Sequence, residues 1–173
     1  MFKFKSDAPA RTAELARRLA GVLRPGTVIC LDGDLGAGKT LFVQNLAASL
    51  GVQGEVTSPT FNLMNLYEDG RLPLVHFDLY RLEQEYELDE IGFYDYVENP
   101  DGLVLIEWAE KFPSACRRTI LRCKFSELMW KMSVYWCSAW QAVPCRMCIR
   151  RWKSFANFSN RYSDDGFQRG CGG

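Results

Sequence analysis

"LDGDLGAGKT", residues 31–40, decides how the rest of the chain is read. Gly33-x4-Gly38-Lys39-Thr40 meets the pattern G-x-x-x-x-G-K-[ST], with a further glycine at Gly36. Glycines here permit backbone angles that a Cβ forbids, so successive N–H groups can turn inward around phosphate oxygens. A helix opening near Lys39 adds its N-terminal partial positive charge at the same point. In that geometry Lys39 reaches the β- and γ-phosphates and the Thr40 hydroxyl ligates Mg²⁺. The competing reading is a glycine-rich turn that binds nothing. Context favours the nucleotide loop, because an apolar strand precedes it and a helical segment follows.

That strand is "TVICL", 27–31, a short β-branched run of the buried kind. The helix is "TLFVQNLAASL", 40–50, stopped by Gly51. Upstream, residues 10–23 place Leu15, Leu19 and Leu23 on one helical face with arginines on the other. Downstream, "FNLMNLY", 61–67, and "PLVHFDLYR", 73–81, read as strands joined by the turn at 68–70. Residues 83–97 form an acidic helical or loop-helix stretch, and "LVLIE", 103–107, is an apolar strand ending in a carboxylate. Strands alternating with helices, several of them continuously apolar, predict an α/β fold with a mostly parallel central sheet.

A nucleotide hydrolase of this type needs an acid at a strand end, to hold Mg²⁺ or to orient water. Asp78 ends "LVHFD" and Glu107 ends "LVLIE", the cleaner run of the two. Acids at strand ends also serve as helix caps and ion-pair partners; the loop in the same chain raises the rank of both. His76, the single histidine, shares a strand face with Asp78 by two-residue alternation. A lone strand histidine is more often structural than catalytic, and it receives no role here. "TSPTF", 57–61, carries hydroxyls at Thr57, Ser58 and Thr60 where a switch segment would lie, with Pro59 stiffening the backbone. Spacing alone does not separate this from a polar, self-capped loop.

With "GDLGAGKT" at 33–40, "TSPTF" at 57–61, "HFDLYRL" at 76–82 and "LIEW" at 105–108, residues 5–115 resemble the TsaE (YjeE) family. Members are bacterial P-loop ATPases needed to make threonylcarbamoyladenosine in tRNA. The resemblance implies a P-loop NTPase-like three-layer domain that binds ATP or ADP with Mg²⁺. It also implies association with TsaD, which transfers the threonylcarbamoyl group to tRNA, and with TsaB. Slow ATP hydrolysis would then reset the complex between turnovers, and tRNA would be met only through that complex. By position, Gly33, Asp34, Leu35, Gly36, Ala37, Gly38, Lys39, Thr40 and Leu41 match the phosphate loop. Thr60 is the best match for sensing the γ-phosphate, and Glu107 and Trp108 match the "I-E-W" motif near the nucleotide. Thr40, Asp78 and Glu107 become the metal candidates; which acid binds metal and which orients water stays open. Most family members carry proline after that tryptophan, where this chain has Ala109.

Two other functions compete. One is a small P-loop kinase, against which stands the scarcity of arginine between 41 and 110, only Arg71 and Arg81. The other is an RNA-binding protein using its basic C-terminal part. Residues 1–115 hold 10 Lys+Arg against 18 Asp+Glu, net −8, whereas 116–173 hold 11 against 3, net +8. Six of the seven cysteines and four of the five tryptophans also follow residue 115. The chain is therefore divided into a P-loop ATPase domain, 1–115, and an atypical tail, 116–173, where the resemblance stops. Three origins of the tail compete: a tRNA-binding arm, a zinc site around Cys145 and Cys148 with Cys123 and Cys137, and translation out of frame. The upstream cysteines are 14 residues apart, unlike the close pairs of zinc frameworks, so no zinc is expected. The out-of-frame reading is adopted, because rare residues become abundant where the family pattern breaks. It predicts that the last strands of the sheet are missing or replaced. No run of 18 apolar residues and no secretory signal is present, which predicts a cytoplasmic protein without a membrane span.

Overall fold

In a computed structural model, residues 2–6, 8–116, 121–126 and 131–136 are described. The continuous apolar runs build the middle of a sheet. Strands β2 (Thr27–Asp32), β4 (Leu74–Asp78) and β5 (Leu103–Glu107) are buried at every position, as strands covered on both faces must be. With β1 (Phe2–Lys5), β3 (Met64–Tyr67), β6 (Leu121–Ser126) and β7 (Lys131–Trp136) they form a seven-stranded sheet in the order β1-β7-β6-β2-β5-β4-β3. The four central strands β6, β2, β5 and β4 are parallel, and the outer ones join antiparallel.

Alternation along each strand divides the core into two layers. On one face Ile29, Leu31, Leu74, Leu103 and Leu105 meet α1 (Pro9–Ala20) and α2 (Lys39–Leu50) through Leu15, Leu19, Phe42 and Leu46. On the other, Val28, Val75, Phe77, Val104 and Ile106 meet α3 (Glu87–Glu90) and α4 (Phe93–Glu98). There Phe77 and Phe93 pack edge-on, with ring centres 5.1 Å apart. The result is the expected three-layer, P-loop NTPase-like α/β fold. The acidic stretch resolves into two short helices because Gly92 takes φ +66° between them.

Some elements differ from the sequence reading. The strand expected at 61–67 begins only at Met64, because residues 60–62 turn and Leu63 takes φ 65°. Of the two outcomes expected for the terminal strands, absence and replacement, the described residues show strands built from tail sequence. β6 pairs with β2, and β7 joins β6 to β1. Cys123 lies fully buried on β6, and burial raises its thiol pKa, a setting that suits a core residue better than a thiolate ligand. Cys137, Cys145, Cys148 and the rest of the basic arm lie outside the described residues.

Two glycines show how tightly the strand ends are set. A Cβ on Gly102 would lie 2.0 Å from the Pro73 carbonyl oxygen, whereas one on Gly54 would meet nothing within 4 Å. The Leu103 amide donates to that same Pro73 oxygen at 2.8 Å, so the backbones cannot part without losing a ladder bond. Gly102→Ala is expected to destabilise the protein by about 1–3 kcal/mol. Gly54→Ala should stay within about 0.5 kcal/mol of wild type. Urea unfolding followed by circular dichroism compares them, and equal midpoints would contradict the packing at Pro73.

Candidate active site

The parallel register brings the site together. Leu31 of β2 pairs with Glu107 of β5, and Glu107 pairs with Asp78 of β4, so both acids end neighbouring strands on the α2 side of the sheet. Past the strand ends, the Leu79 amide donates to the Glu107 carbonyl and the Trp108 amide to the Leu31 carbonyl, each at 3.1 Å. The glycine loop leaves β2 and enters α2 through left-handed backbone at Gly36 and Gly38, φ 79° and 97°. Gly33 takes φ 136°, and a Cβ there would sit 2.5 Å from the Phe125 carbonyl oxygen of β6. Only glycine fits that approach.

Leu35, Gly36, Ala37, Gly38, Lys39, Thr40, Thr60, Asp78, Glu107 and Trp108 line one cleft of about 270 Å³, joined by Ser58 and Tyr80. Gly33, Asp34 and Leu41 stand outside that lining. Gly33 and Asp34 instead lend their carbonyl oxygens to Lys39 Nζ, at 2.5 and 2.8 Å. The ammonium also lies 4.0 Å from the centre of the Trp108 ring, a cation–π contact. Burial holds the Lys39 pKa below its ordinary value, opposed by Glu107, Glu110, Asp78 and Asp34. Trp108 takes φ 61° and stacks at a tilt on Tyr80, ring centres 5.0 Å apart.

The two carboxylates have separate partners. The Thr40 hydroxyl donates to Glu107 Oε1 at 2.9 Å, and His76 Nε2 lies 3.0 Å from the same oxygen. Asp78 Oδ2 accepts Ser58 Oγ at 2.9 Å and Thr60 Oγ1 at 2.5 Å, and its Oδ1 accepts the Tyr80 amide at 3.0 Å. The "TSPTF" segment is thus clipped to a strand-end acid, with Phe61 exposed and Arg81 4.7 Å over its ring. Alternation had put His76 beside Asp78; its reach across to Glu107 was not foreseen. Glu110 was missed as well. It follows Trp108 on a 3₁₀ turn, Ala109–Lys111, and accepts the Gly33 amide at 3.2 Å. No local motif announces such a contact.

Asp32, the last residue of β2, is buried, and neither carboxyl oxygen has a hydrogen-bond partner among the described residues. Arg122 Nε of β6 stands 3.4 Å from Oδ2, an ion pair without hydrogen-bond geometry. Burial first, then the Glu110 carboxyl, push the Asp32 pKa up to about 6, against the pull of Arg122.

Such a cleft, with its strand–loop–helix and strand-end acids, defines the class: a P-loop NTPase-like α/β protein. Residues 6–132 match the family model "Threonylcarbamoyl adenosine biosynthesis protein TsaE", and the chain belongs to that family. The match runs past residue 115, where the motif-based resemblance stops, and covers β6. The chain is 46% identical over 105 residues to the tRNA threonylcarbamoyladenosine biosynthesis protein TsaE of Synechocystis, covering 59% of this chain and 66% of that protein. It is 43% identical over 107 residues to the Bacillus subtilis protein of the same name, covering 62% and 66%. The aligned part therefore spans just under two-thirds of these relatives. Among solved structures, the crystal structure of Bacillus subtilis YdiB is similar, with a TM-score of 0.67 and 26% identity over 91% of this chain and 95% of that one. No described helix is long and apolar enough to cross a membrane.

The Asp32 carboxyl supplies a pH test. Its folded pKa lies above the unfolded value, so the folded protein keeps a proton that the unfolded chain releases between about pH 4 and pH 6. Stability from this group is full below that window and falls as pH rises through it. Asp32→Asn should therefore gain on wild type across the window, by on the order of 2 kcal/mol. Denaturant midpoints at pH 4 and 7 measure it; parallel pH profiles would contradict the buried acid.

Proposed function

We propose that the protein binds ATP and hydrolyses it slowly, as a subunit of the machinery that makes N6-threonylcarbamoyladenosine in tRNA. On this reading it acts with TsaD and TsaB, and hydrolysis resets their complex between turnovers. The supporting observation is the convergence of Lys39, Thr40, Asp78 and Glu107 on one cleft beside a loop whose Gly36 and Gly38 take left-handed backbone. The family's name and those of the relatives support the pathway.

The donor set suits Mg²⁺: one hydroxyl and two carboxylates, all hard oxygens, in a cleft that leaves other positions to phosphate and water. Among the described residues no cluster of three His, Cys, Asp or Glu could hold a metal by itself, in keeping with an ion shared with a nucleotide. Bound there, Mg²⁺ would neutralise charge on the β- and γ-phosphates. Thr40 and one carboxylate would hold it, and the other carboxylate would orient water. Lys39 would exchange the carbonyls of Gly33 and Asp34 for phosphate oxygens. Ser58 and Thr60, now on Asp78, lie where a γ-phosphate could draw them off. The kinase alternative weakens further, because Arg71 is tied to the Ala20 carbonyl at 2.6 Å and Arg81 covers Phe61.

Two variants test the assignment. Lys39→Ala removes charge-assisted hydrogen bonds of about 1.5–3 kcal/mol, so ATP binding should fall about 10- to 100-fold. Glu107→Ala should keep nucleotide affinity within about tenfold while losing most turnover. Calorimetry with ATP, and ADP release with TsaB and TsaD present and no small-molecule acceptor, measure the two effects. Unchanged hydrolysis in Lys39→Ala would show that the loop is misassigned.

A further inference from the structure

His76 is the single histidine of the chain and lies fully buried on β4. Its Nε2 faces Glu107 Oε1 at 3.0 Å, the oxygen that also accepts the Thr40 hydroxyl at 2.9 Å. Its Nδ1 is buried without a hydrogen-bond partner among the described residues. Together these contacts locate the proton. A hydrogen on Nδ1 would be a buried donor with no acceptor, while a bare Nε2 would set its lone pair against a carboxylate oxygen. With the hydrogen on Nε2, the imidazole donates to Glu107, and one buried acceptor stays unmatched.

We propose that His76 is a positioning residue for Glu107, donating to it through Nε2–H. The role rests on the nucleotide reading above. Glu107 Oε1 has two anchors of different permanence. Thr40 sits in the first turn of α2 and is the hydroxyl that a nucleotide-bound cation would claim. His76 lies in the sheet beneath the cleft, fixed by the β3 and β5 ladders through the pairs Asn65–His76 and His76–Leu105. When Thr40 turns to the cation, His76 keeps the carboxylate in place. Both donors engage one oxygen, so neither takes Oε2. A donor of this kind acts through orientation, and losing one typically lowers activity or metal affinity about 10- to 100-fold.

The test uses the untagged full-length chain and two substitutions. Gln places an amide N–H near the former Nε2, whereas Leu keeps bulk and removes the donor. His76→Leu should lower kcat about 10- to 100-fold, with the KM for ATP and the Kd for ADP changed by no more than about threefold. His76→Gln should keep kcat within about threefold of wild type. Independently, long-range ¹H–¹⁵N correlations on ¹⁵N-histidine-labelled wild type contain one imidazole, so the tautomer is read without assignment. The expected spectrum has Nε2 protonated, and it decides the case even where a variant fails to fold. A bare Nε2, or equal kcat losses in Gln and Leu, overturns the role of His76 while ADP binding by wild type leaves the nucleotide reading intact. Absence of ADP binding by wild type overturns that reading, and this role with it.

Discussion

The hydrogen bond from Thr40 to Glu107 ties the first turn of α2 to the end of β5 across 67 residues of chain. The cleft requires Thr40 and Glu107 side by side. It depends on the β2–β5 register, which sets Glu107 level with Leu31 at the root of the glycine loop. It depends equally on the β4–β5 register, which brings Asp78 level with Glu107. A slip of one residue would turn both acids to the opposite face, toward α3 and α4. The apolar stripes of three buried strands therefore determine the positions of two charges, through a period of two rather than through any motif.

The far wall of the loop comes from β6. The Phe125 carbonyl presses on the Cα of Gly33, and the Phe125 ring packs edge-on against Phe42 of α2 at 5.9 Å. Arg122 of the same strand faces the buried Asp32. Strand β6 is thus part of the support of the loop, although its sequence carries none of the motifs. Glu110 adds a contact from the other side by accepting the Gly33 amide. The first glycine of the loop is gripped by backbone on one flank and a carboxylate on the other.

These facts explain how legible the molecule is. The loop, α2, β2 and β5 are readable because their signals are local: glycine spacing, a continuous apolar run, a helix stopped by Gly51. β1 is four residues, "FKFK", whose one sheet neighbour among the described residues is β7, near the far end of the described chain, so its pairing is not written nearby. β6 and β7 fall where composition shifts, and strand formation there depends on the edge that β2 offers. Asp78 and Glu107 stand out at strand ends, but their partners depend on geometry. Ser58 and Thr60 reach Asp78 because residues 60–63 turn back over β4, a turn that needs Leu63 in left-handed backbone. His76 looks like core on any periodicity argument, and it is core; its reach to Glu107 is a cross-strand diagonal that alternation does not encode.

Four side-chain donors of the cleft are engaged within the protein. Lys39 is held by two carbonyls and an indole ring, Thr40 by Glu107, and Ser58 and Thr60 by Asp78. On the proposed reading a nucleotide would have to replace these bonds, and the free energy of binding would be the difference between two hydrogen-bonded states. Releasing Thr40 and Lys39 together would leave Glu107 and Asp78 facing each other with less positive charge nearby. Like charges paired across neighbouring strands disfavour each other, so a cation arriving with the phosphates would favour the exchange. A bare triphosphate would have the loop amides, but would meet a lysine already occupied and two carboxylates. On that reading, dependence on a metal would follow from the bonds the protein makes to itself as much as from the charge of its ligand.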